Sequence, residues 1–161
     1  MIERPPRTSA LRAAAAAALL LAPLTSGAAE FRVTSEAPAV LYDAPSVKSK
    51  ALFVYGRDVP MEVLVTVEGW TKVRDATGTI GWLSGKGLSD KRVLLVRTPN
   101  ADVRANPDDA AAVVFRAEHN VLLELAETAT SPATTANPGW VKVRHRDGQT
   151  GYVKLAQVFG L

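Results

Sequence analysis

The stretch GWTKVRD at residues 69–75 returns almost unchanged as GWVKVRH at residues 139–145. Side chains alternate along the first stretch, so Trp70, Lys72 and Arg74 share one face of a predicted strand and the residues between them share the other. Because nearly the same strand sequence occurs twice, 70 positions apart, we predict that the chain contains a duplicated unit.

The similarity extends to both sides of this strand. At an offset of 62 residues Phe53 matches Phe115, and after an insertion of eight residues the offset becomes 70, so that Gly81 matches Gly151. The insertion falls within AETATSPATTANPGW at 126–140, whose Ala, Thr and Pro content is typical of a loop lengthened at little thermodynamic cost. We therefore predict two copies of one small unit, called copy one and copy two below.

Each copy is predicted to consist of short strands. MEVLVTVEG at 61–69 and VLLELAE at 121–127 are rich in Val and Leu, and TG at 77–78 and DG at 147–148 are hairpin signals between apolar runs. DDAAAVVFRAEHN at 108–120 is predicted to be a loop leading into a strand, because its counterpart in copy one has little helical character. These patterns predict an all-β protein with two small β-barrels in tandem.

The first 29 residues have the layout of a secretory signal peptide. Three arginines are followed by an unbroken Ala and Leu run at 13–22 and then by small residues that favour cleavage after Ala29. The alternative is a membrane anchor, but a span needs about 20 apolar residues. We predict a periplasmic or secreted protein with a signal peptide at 1–29, copy one at 30–91 and copy two at 92–161.

The net charge limits the classes of partner, and the absence of cysteine limits how the fold can be stabilised. The precursor has 19 basic and 16 acidic residues, and removing three basic residues and one acidic residue with the signal leaves 16 against 15. A chain so close to neutral has no broad attraction for polyanions, so no nucleic-acid partner is expected. The chain has no cysteine, so its stability must come from burial rather than from disulfides.

The repeated tryptophans are predicted to anchor the two cores. Burying about 200 Å² of Trp70 or Trp140 is worth about 5 kcal/mol, and a small domain has little other core. The alternative is that each indole forms the floor of a binding groove. The neighbouring basic residues could form an aromatic-cationic binding strip. We favour the alternative, in which the aliphatic stems of these residues cover the barrel edge. These basic residues are Lys72, Arg74, Lys142 and Arg144.

ADVRANP at 101–107 and GWVKVRHRDGQTGYV at 139–153 resemble the bacterial SH3-like domain, often written SH3b, in an exported tandem form. The resemblance covers residues 34–161, and copy one departs from it because Tyr42 stands where copy two has Arg104. It implies a partly open barrel of five to six strands in each copy and a non-catalytic module that binds peptidoglycan peptides or proteins.

The resemblance also implies where a ligand would bind. The groove of such barrels is flanked by the first long loop and by the turn after the middle strands. By the resemblance, Tyr42, Asp43 and Tyr55 are the candidate ligand-binding residues of copy one, and Arg104 is the candidate of copy two.

The residues provide no recognisable catalytic or metal-binding set. His119 and His145 are the only histidines, and without cysteine or a close partner they make a poor metal site, so we expect both on the surface. Asp108 and Asp109 are interpreted as a solvated turn. We expect no cofactor, no metal and no enzymatic activity. The sequence predicts a binding module for a cell-envelope ligand, either peptidoglycan or a periplasmic protein. The alternative is a structural adaptor whose paired barrels dock a protein without binding the wall.

Overall fold

The computed structural model describes residues 29–35, 38–126 and 139–161, and there the chain is all-β with two short 3-10 turns, Gly85–Gly87 and Leu155–Gln157. The predicted signal peptide and most of the predicted insertion lie outside these residues. Within the described ranges, no helix is long and apolar enough to span a bilayer. The strands are β1 (Glu30–Thr34), β2 (Ala39–Tyr42), β3 (Ala51–Tyr55), β4 (Pro60–Val67), β5 (Trp70–Arg74), β6 (Ile80–Ser84), β7 (Leu88–Ser89), β8 (Val93–Val96), β9 (Asn100–Arg104), β10 (Val113–Glu118), β11 (Leu122–Leu125), β12 (Trp140–Arg144), β13 (Thr150–Lys154) and β14 (Val158–Phe159).

The strands form two sheets with the same connectivity. The first has the order β3-β2-β6-β5-β4-β1-β7, and the second has the order β10-β9-β13-β12-β11-β8-β14. Neither sheet closes into a complete barrel, which confirms the predicted class of two partly open units. Each sheet has seven strands rather than the five or six that the resemblance implied. The difference arises at one end of each sheet. There, the first strand of the copy pairs with the two-residue strand that follows the 3-10 turn, and this pairing lengthens the sheet.

The alternation predicted for the repeated strand is confirmed. In β5, Thr71 and Val73 are buried while Trp70 and Lys72 on the opposite face are only partly covered. The hairpin turns fall where the sequence predicted them: Gly78 has a φ of 91°, a backbone conformation that favours glycine.

Mainly aliphatic side chains form the two cores, with Tyr55 as the aromatic member of the copy-one core, and the repeated tryptophans are not part of them. In copy one the cluster comprises Ala39, Leu41, Tyr55, Met61, Val73 and Leu83, and in copy two it comprises Leu94, Val96, Ala101, Val103, Ala117, Leu123, Val141, Val143, Val153 and Val158. The prediction that Trp70 and Trp140 anchor the cores is wrong. The pleat places both indoles on the outer face with the lysines, and the narrow space inside each unit is filled by Val, Leu and Met.

Two glycines that match in the repeat allow neighbouring strands to approach closely. A Cβ atom at Gly81 would lie 2.6 Å from the Leu41 side chain and 2.8 Å from the carbonyl oxygen of Tyr42. A Cβ atom at Gly151 would lie 2.7 Å from the carbonyl oxygen of Arg104. Because glycine has no Cβ atom, the strands that carry Tyr42 and Arg104 can lie equally close to their neighbours in the two copies.

The two copies also contact each other. The rings of Phe31 and Phe159 meet edge to face with their centroids 5.1 Å apart. Lys91, in the segment joining the sheets, ion-pairs with Asp58 of copy one at 3.2 Å and with Glu124 of copy two at 2.9 Å. An aromatic contact and a bridging cation therefore join the copies.

Candidate functional site

A cavity of about 390 Å³ lies on the outer face of copy two, and most of its lining residues are charged. We call it the charged pocket. Its lining residues are Asn100, Asp102, Arg104, Asp109, Arg116, Trp140, Lys154 and Gln157. They come from β9, β10, β12 and β13, the connection before β10 and the second 3-10 turn.

Asp102 organises one side of the charged pocket. Its carboxylate accepts a hydrogen bond from Nη2 of Arg104 at 3.1 Å and another from Nε of Arg116 at 2.9 Å. Arg104 also donates from Nη1 to the carbonyl oxygen of Ala111 at 2.8 Å, which fixes the orientation of its guanidinium group. Because the Arg104 side chain is only 20% exposed, its position is well defined before any ligand arrives.

Trp140 and Lys154 form the other side. The Lys154 ammonium lies over the Trp140 ring, 5.4 Å from the ring centroid, and also ion-pairs with Asp109. The lining thus carries three cationic and two anionic side chains beside one indole face. Such a lining suits a small polar ligand that bears a carboxylate and also offers an amino group or an apolar surface.

Copy one has a groove at the corresponding place, but its lining is uncharged. We call this cavity of about 160 Å³ the apolar groove; it is lined by Pro38, Ala39, Val40, Tyr42, Val47, Trp70, Leu83, Ser84 and Gly87. Tyr42 packs edge to face on Trp70 with the ring centroids 5.8 Å apart. The two tryptophans are therefore groove residues, the alternative that the sequence analysis left open.

The repeat offsets show how completely the chemistry differs between the two cavities. Each charged residue of the charged pocket corresponds to an uncharged residue of copy one: Asp102 to Val40, Arg104 to Tyr42, Asp109 to Val47, Arg116 to Val54 and Lys154 to Ser84. Only the tryptophan is shared. The same position of the fold therefore carries charged side chains in copy two and uncharged side chains in copy one. The copies are not expected to share a ligand.

The predicted ligand-binding residues do not converge on one site. Arg104 lies in the charged pocket and Tyr42 in the apolar groove. Asp43 is exposed, and its carboxylate accepts a hydrogen bond from the backbone N–H of Lys50 at 3.0 Å, which stabilises the turn before β3. Tyr55 is buried, at 8% exposure, and lines a separate cavity. Their roles in binding stay predictions.

The structure gives Tyr55 a structural partner. Its hydroxyl donates to Oδ2 of Asp75 at 2.7 Å, while Oδ1 of Asp75 accepts from the backbone N–H groups of Thr77 and Thr79 and from the Thr77 hydroxyl. Burial raises the pKa of Tyr55, and the hydrogen bond and the charge of Asp75 raise it further. Burial also raises the pKa of Asp75, but the hydrogen bonds from Thr77, Tyr55 and Thr79 outweigh it and hold that pKa below its usual value.

Other predicted features are partly corrected. His119 is exposed as predicted, whereas the His145 side chain is only 25% exposed, because its ring lies against Phe115 with the centroids 5.6 Å apart. In the part of the chain that the structure describes, no three metal-ligating side chains come together. The Lys72 ammonium lies over the ring of Trp82 on the neighbouring strand, 5.7 Å from the ring centroid, an aromatic-cationic contact of the kind that the sequence analysis gave as the less favoured reading.

Sequence reasoning missed Asp102 and Lys154, the partners of Arg104 and Trp140. A signal was present, since both positions differ in charge between the aligned copies.

The fold and the cavities define a tandem of two small, partly open β domains whose grooves have different linings. The model of the bacterial SH3 domain family matches twice, at residues 35–90 and 97–160, so the chain belongs to this family and the resemblance is confirmed. Among the curated proteins none matches.

The chain is also similar to parts of three larger solved proteins. NlpC1 from Trichomonas vaginalis is 16% identical, with a TM-score of 0.34 over 80% of this chain and 44% of that chain. NlpC2 from the same organism is 14% identical, with a TM-score of 0.34 over 80% and 46%. An NlpC/P60 family protein from Bacillus cereus is 15% identical, with a TM-score of 0.36 over 81% and 56%. The chain spans about half the length of these solved chains.

Proposed function

We propose that this chain is a non-catalytic, exported binding module and that the charged pocket of copy two binds the peptide part of peptidoglycan. One observation carries the proposal: a fixed guanidinium, a lysine over an indole face and two carboxylates line one cavity. Peptidoglycan peptides carry both carboxylates and amino groups. The pocket has three cations against two anions, so a ligand carboxylate meets a net positive lining.

Family membership supports this proposal, because bacterial SH3 domains are typically associated with the cell wall. The amino-terminal sequence supports export, which would place the protein in the periplasm or outside the cell. The two copies pack together through Phe31, Phe159 and Lys91. This packing fits a rigid wall-binding pair and fits equally well an adaptor that docks a protein without binding the wall. The two functions therefore need a direct binding measurement.

The test is sedimentation of the purified protein with purified sacculi. We expect the wild-type protein to enter the pellet at low salt, and Arg104→Gln and Lys154→Gln to reduce the pelleted fraction. Arg97→Gln removes the same charge from an exposed residue of copy two that does not line the charged pocket, so it should sediment like the wild type. A wild-type protein that stays in the supernatant at low salt would refute wall binding and leave the adaptor function.

A further inference from the structure

The edge strand β3 of copy one is unusually open to a further strand. It reads ALFVY and carries no charge, and Phe53 and Val54 are 56% and 55% exposed. Among the described residues no strand pairs with its free side, since β3 ends the first sheet. Exposed apolar edge strands readily accept another strand, and proteins usually block them with charged residues.

Copy two blocks the corresponding edge. Its strand β10 reads VVFRAE and carries Arg116 and Glu118. The Arg116 side chain also forms a salt bridge at 2.9 Å with Asp102 on the neighbouring inner strand β9. At the repeat offset Arg116 corresponds to Val54, and Glu118 corresponds to Gly56 just beyond β3. The open edge therefore belongs to copy one alone.

Apolar cavities lie on both faces of the ribbon formed by β2 and β3. Phe53 and Tyr55, whose rings are 4.8 Å apart, line a cavity of about 290 Å³ whose wall also includes Leu95 and Leu122 of copy two. Val40 and Val54 are paired across the two strands, so they share the opposite face, which carries the apolar groove. Successive side chains of an added strand would point alternately toward the two cavities.

The charges around β3 indicate which segment fits. Lys48 and Lys50 precede the strand, Arg57 follows it, and the three side chains form no salt bridge in the described part of the chain. An antiparallel second copy would bring Lys50 of one chain close to Arg57 of the other, which is unfavourable. Acidic residues on either side of an apolar segment would instead be attracted at both ends.

We infer that β3 binds an extended segment of a partner protein, with alternating apolar side chains and acidic flanks, as an added antiparallel or parallel strand. The main-chain groups of Ala51–Val54 supply the hydrogen bonds, and the two cavities select the side chains. This inference goes beyond wall binding and does not rest on it, because it concerns another surface on the other copy. The protein then joins two ligands, one on each copy.

The experiment titrates the full chain with a synthetic peptide of alternating valine and threonine residues, flanked by glutamates, and follows binding by calorimetry. Three comparison peptides carry lysine flanks, N-methyl groups on alternate amides, or a scrambled order. Val54→Arg gives copy one the residue that copy two has at this position. Val114→Arg, a change at an exposed valine on the blocked edge β10, is the matched control.

We expect the acidic peptide to bind and Val54→Arg to weaken it by about tenfold or more, with Val114→Arg close to wild type. The lysine-flanked and N-methylated peptides should bind weakly, and added salt should weaken the acidic peptide. The inference is overturned if the N-methylated peptide binds equally well, or if Val114→Arg is as harmful as Val54→Arg. Absence of binding by the acidic peptide also overturns it, as does a concentration-dependent dimer that Val54→Arg abolishes, which would make a second copy the occupant. Sacculus sedimentation of Val54→Arg should remain at the wild-type level, so failure here leaves wall binding untouched.

Discussion

Replacing Tyr55 by Phe removes one hydroxyl and tests whether this residue holds copy one together. The hydroxyl provides the hydrogen bond that Oδ2 of Asp75 receives at 2.7 Å, whereas Oδ1 keeps its three donors from Thr77 and Thr79. A hydrogen bond to a charged acceptor contributes about 1.5–3 kcal/mol. Because water can reach part of this site through the adjoining cavity, we expect a loss near the lower end, about 1.5 kcal/mol.

The effect of Tyr55→Phe should depend on pH. The pKa of Asp75 is lowered by folding, so its contribution to stability is fully present above its unfolded value and is lost as the pH falls through the folded value. The difference between Tyr55→Phe and wild type should therefore be constant near neutrality and shrink in acid. The pKa of Tyr55 is raised by folding, so the wild type should also lose stability as the pH rises above about 10.

The assay is urea unfolding followed by tryptophan fluorescence. In a Trp140→Phe background the signal comes from Trp70 and Trp82 and reports on copy one, whereas a chain that keeps only Trp140 reports on copy two. We expect Tyr55→Phe to shift the copy-one transition and to leave the copy-two transition in place. A change below about 0.5 kcal/mol, or an equal change at neutral and acid pH, would refute the structural role given to this hydrogen bond.

Three further predictions concern the packing of each copy and the ion pairs between the copies. Gly81→Ala should destabilise copy one by about 1–3 kcal/mol in urea, because the new methyl group would lie 2.6 Å from Leu41, whereas Gly56→Ala, with no atom within 4 Å, should be tolerated. Leu123→Ala removes a fully buried side chain, so thermal unfolding should show copy two weakened by about 2–5 kcal/mol, with a smaller change contradicting its place in the core. Lys91→Met breaks two partly exposed ion pairs and should cost at most about 1 kcal/mol, with a loss that disappears in high salt; a salt-independent loss would contradict this account.

Much of the fold could be predicted because both copies carry the same pattern of strands and turns. The alternation of the strand at 69–75 fixed which residues face inward, and the turn signal at 77–78 marked the hairpin correctly. The placement of Trp70 could not be predicted in the same way. A large apolar side chain was assigned to the core by size, although the alternation already placed it on the same face as Lys72 and Arg74. Periodicity was the stronger signal.

The candidate site was predicted only in part. Arg104 was found through the family motif, and the structure shows that it lies in a cavity with Asp102 and Lys154. Residues that come together across strands distant in sequence leave no local pattern, and only the comparison of the two copies exposes them. Tyr55 was assigned to a groove by analogy, whereas its environment depends on Asp75, twenty residues away.

The grooves of the two copies differ in chemistry, and the indole N–H signals of Trp70, Trp82 and Trp140 in a ¹⁵N–¹H NMR spectrum report on each groove separately. Addition of soluble peptidoglycan fragments should shift the Trp140 signal and leave Trp70 and Trp82 in place. Equal shifts of Trp70 and Trp140, or a shift of Trp70 alone, would contradict this difference.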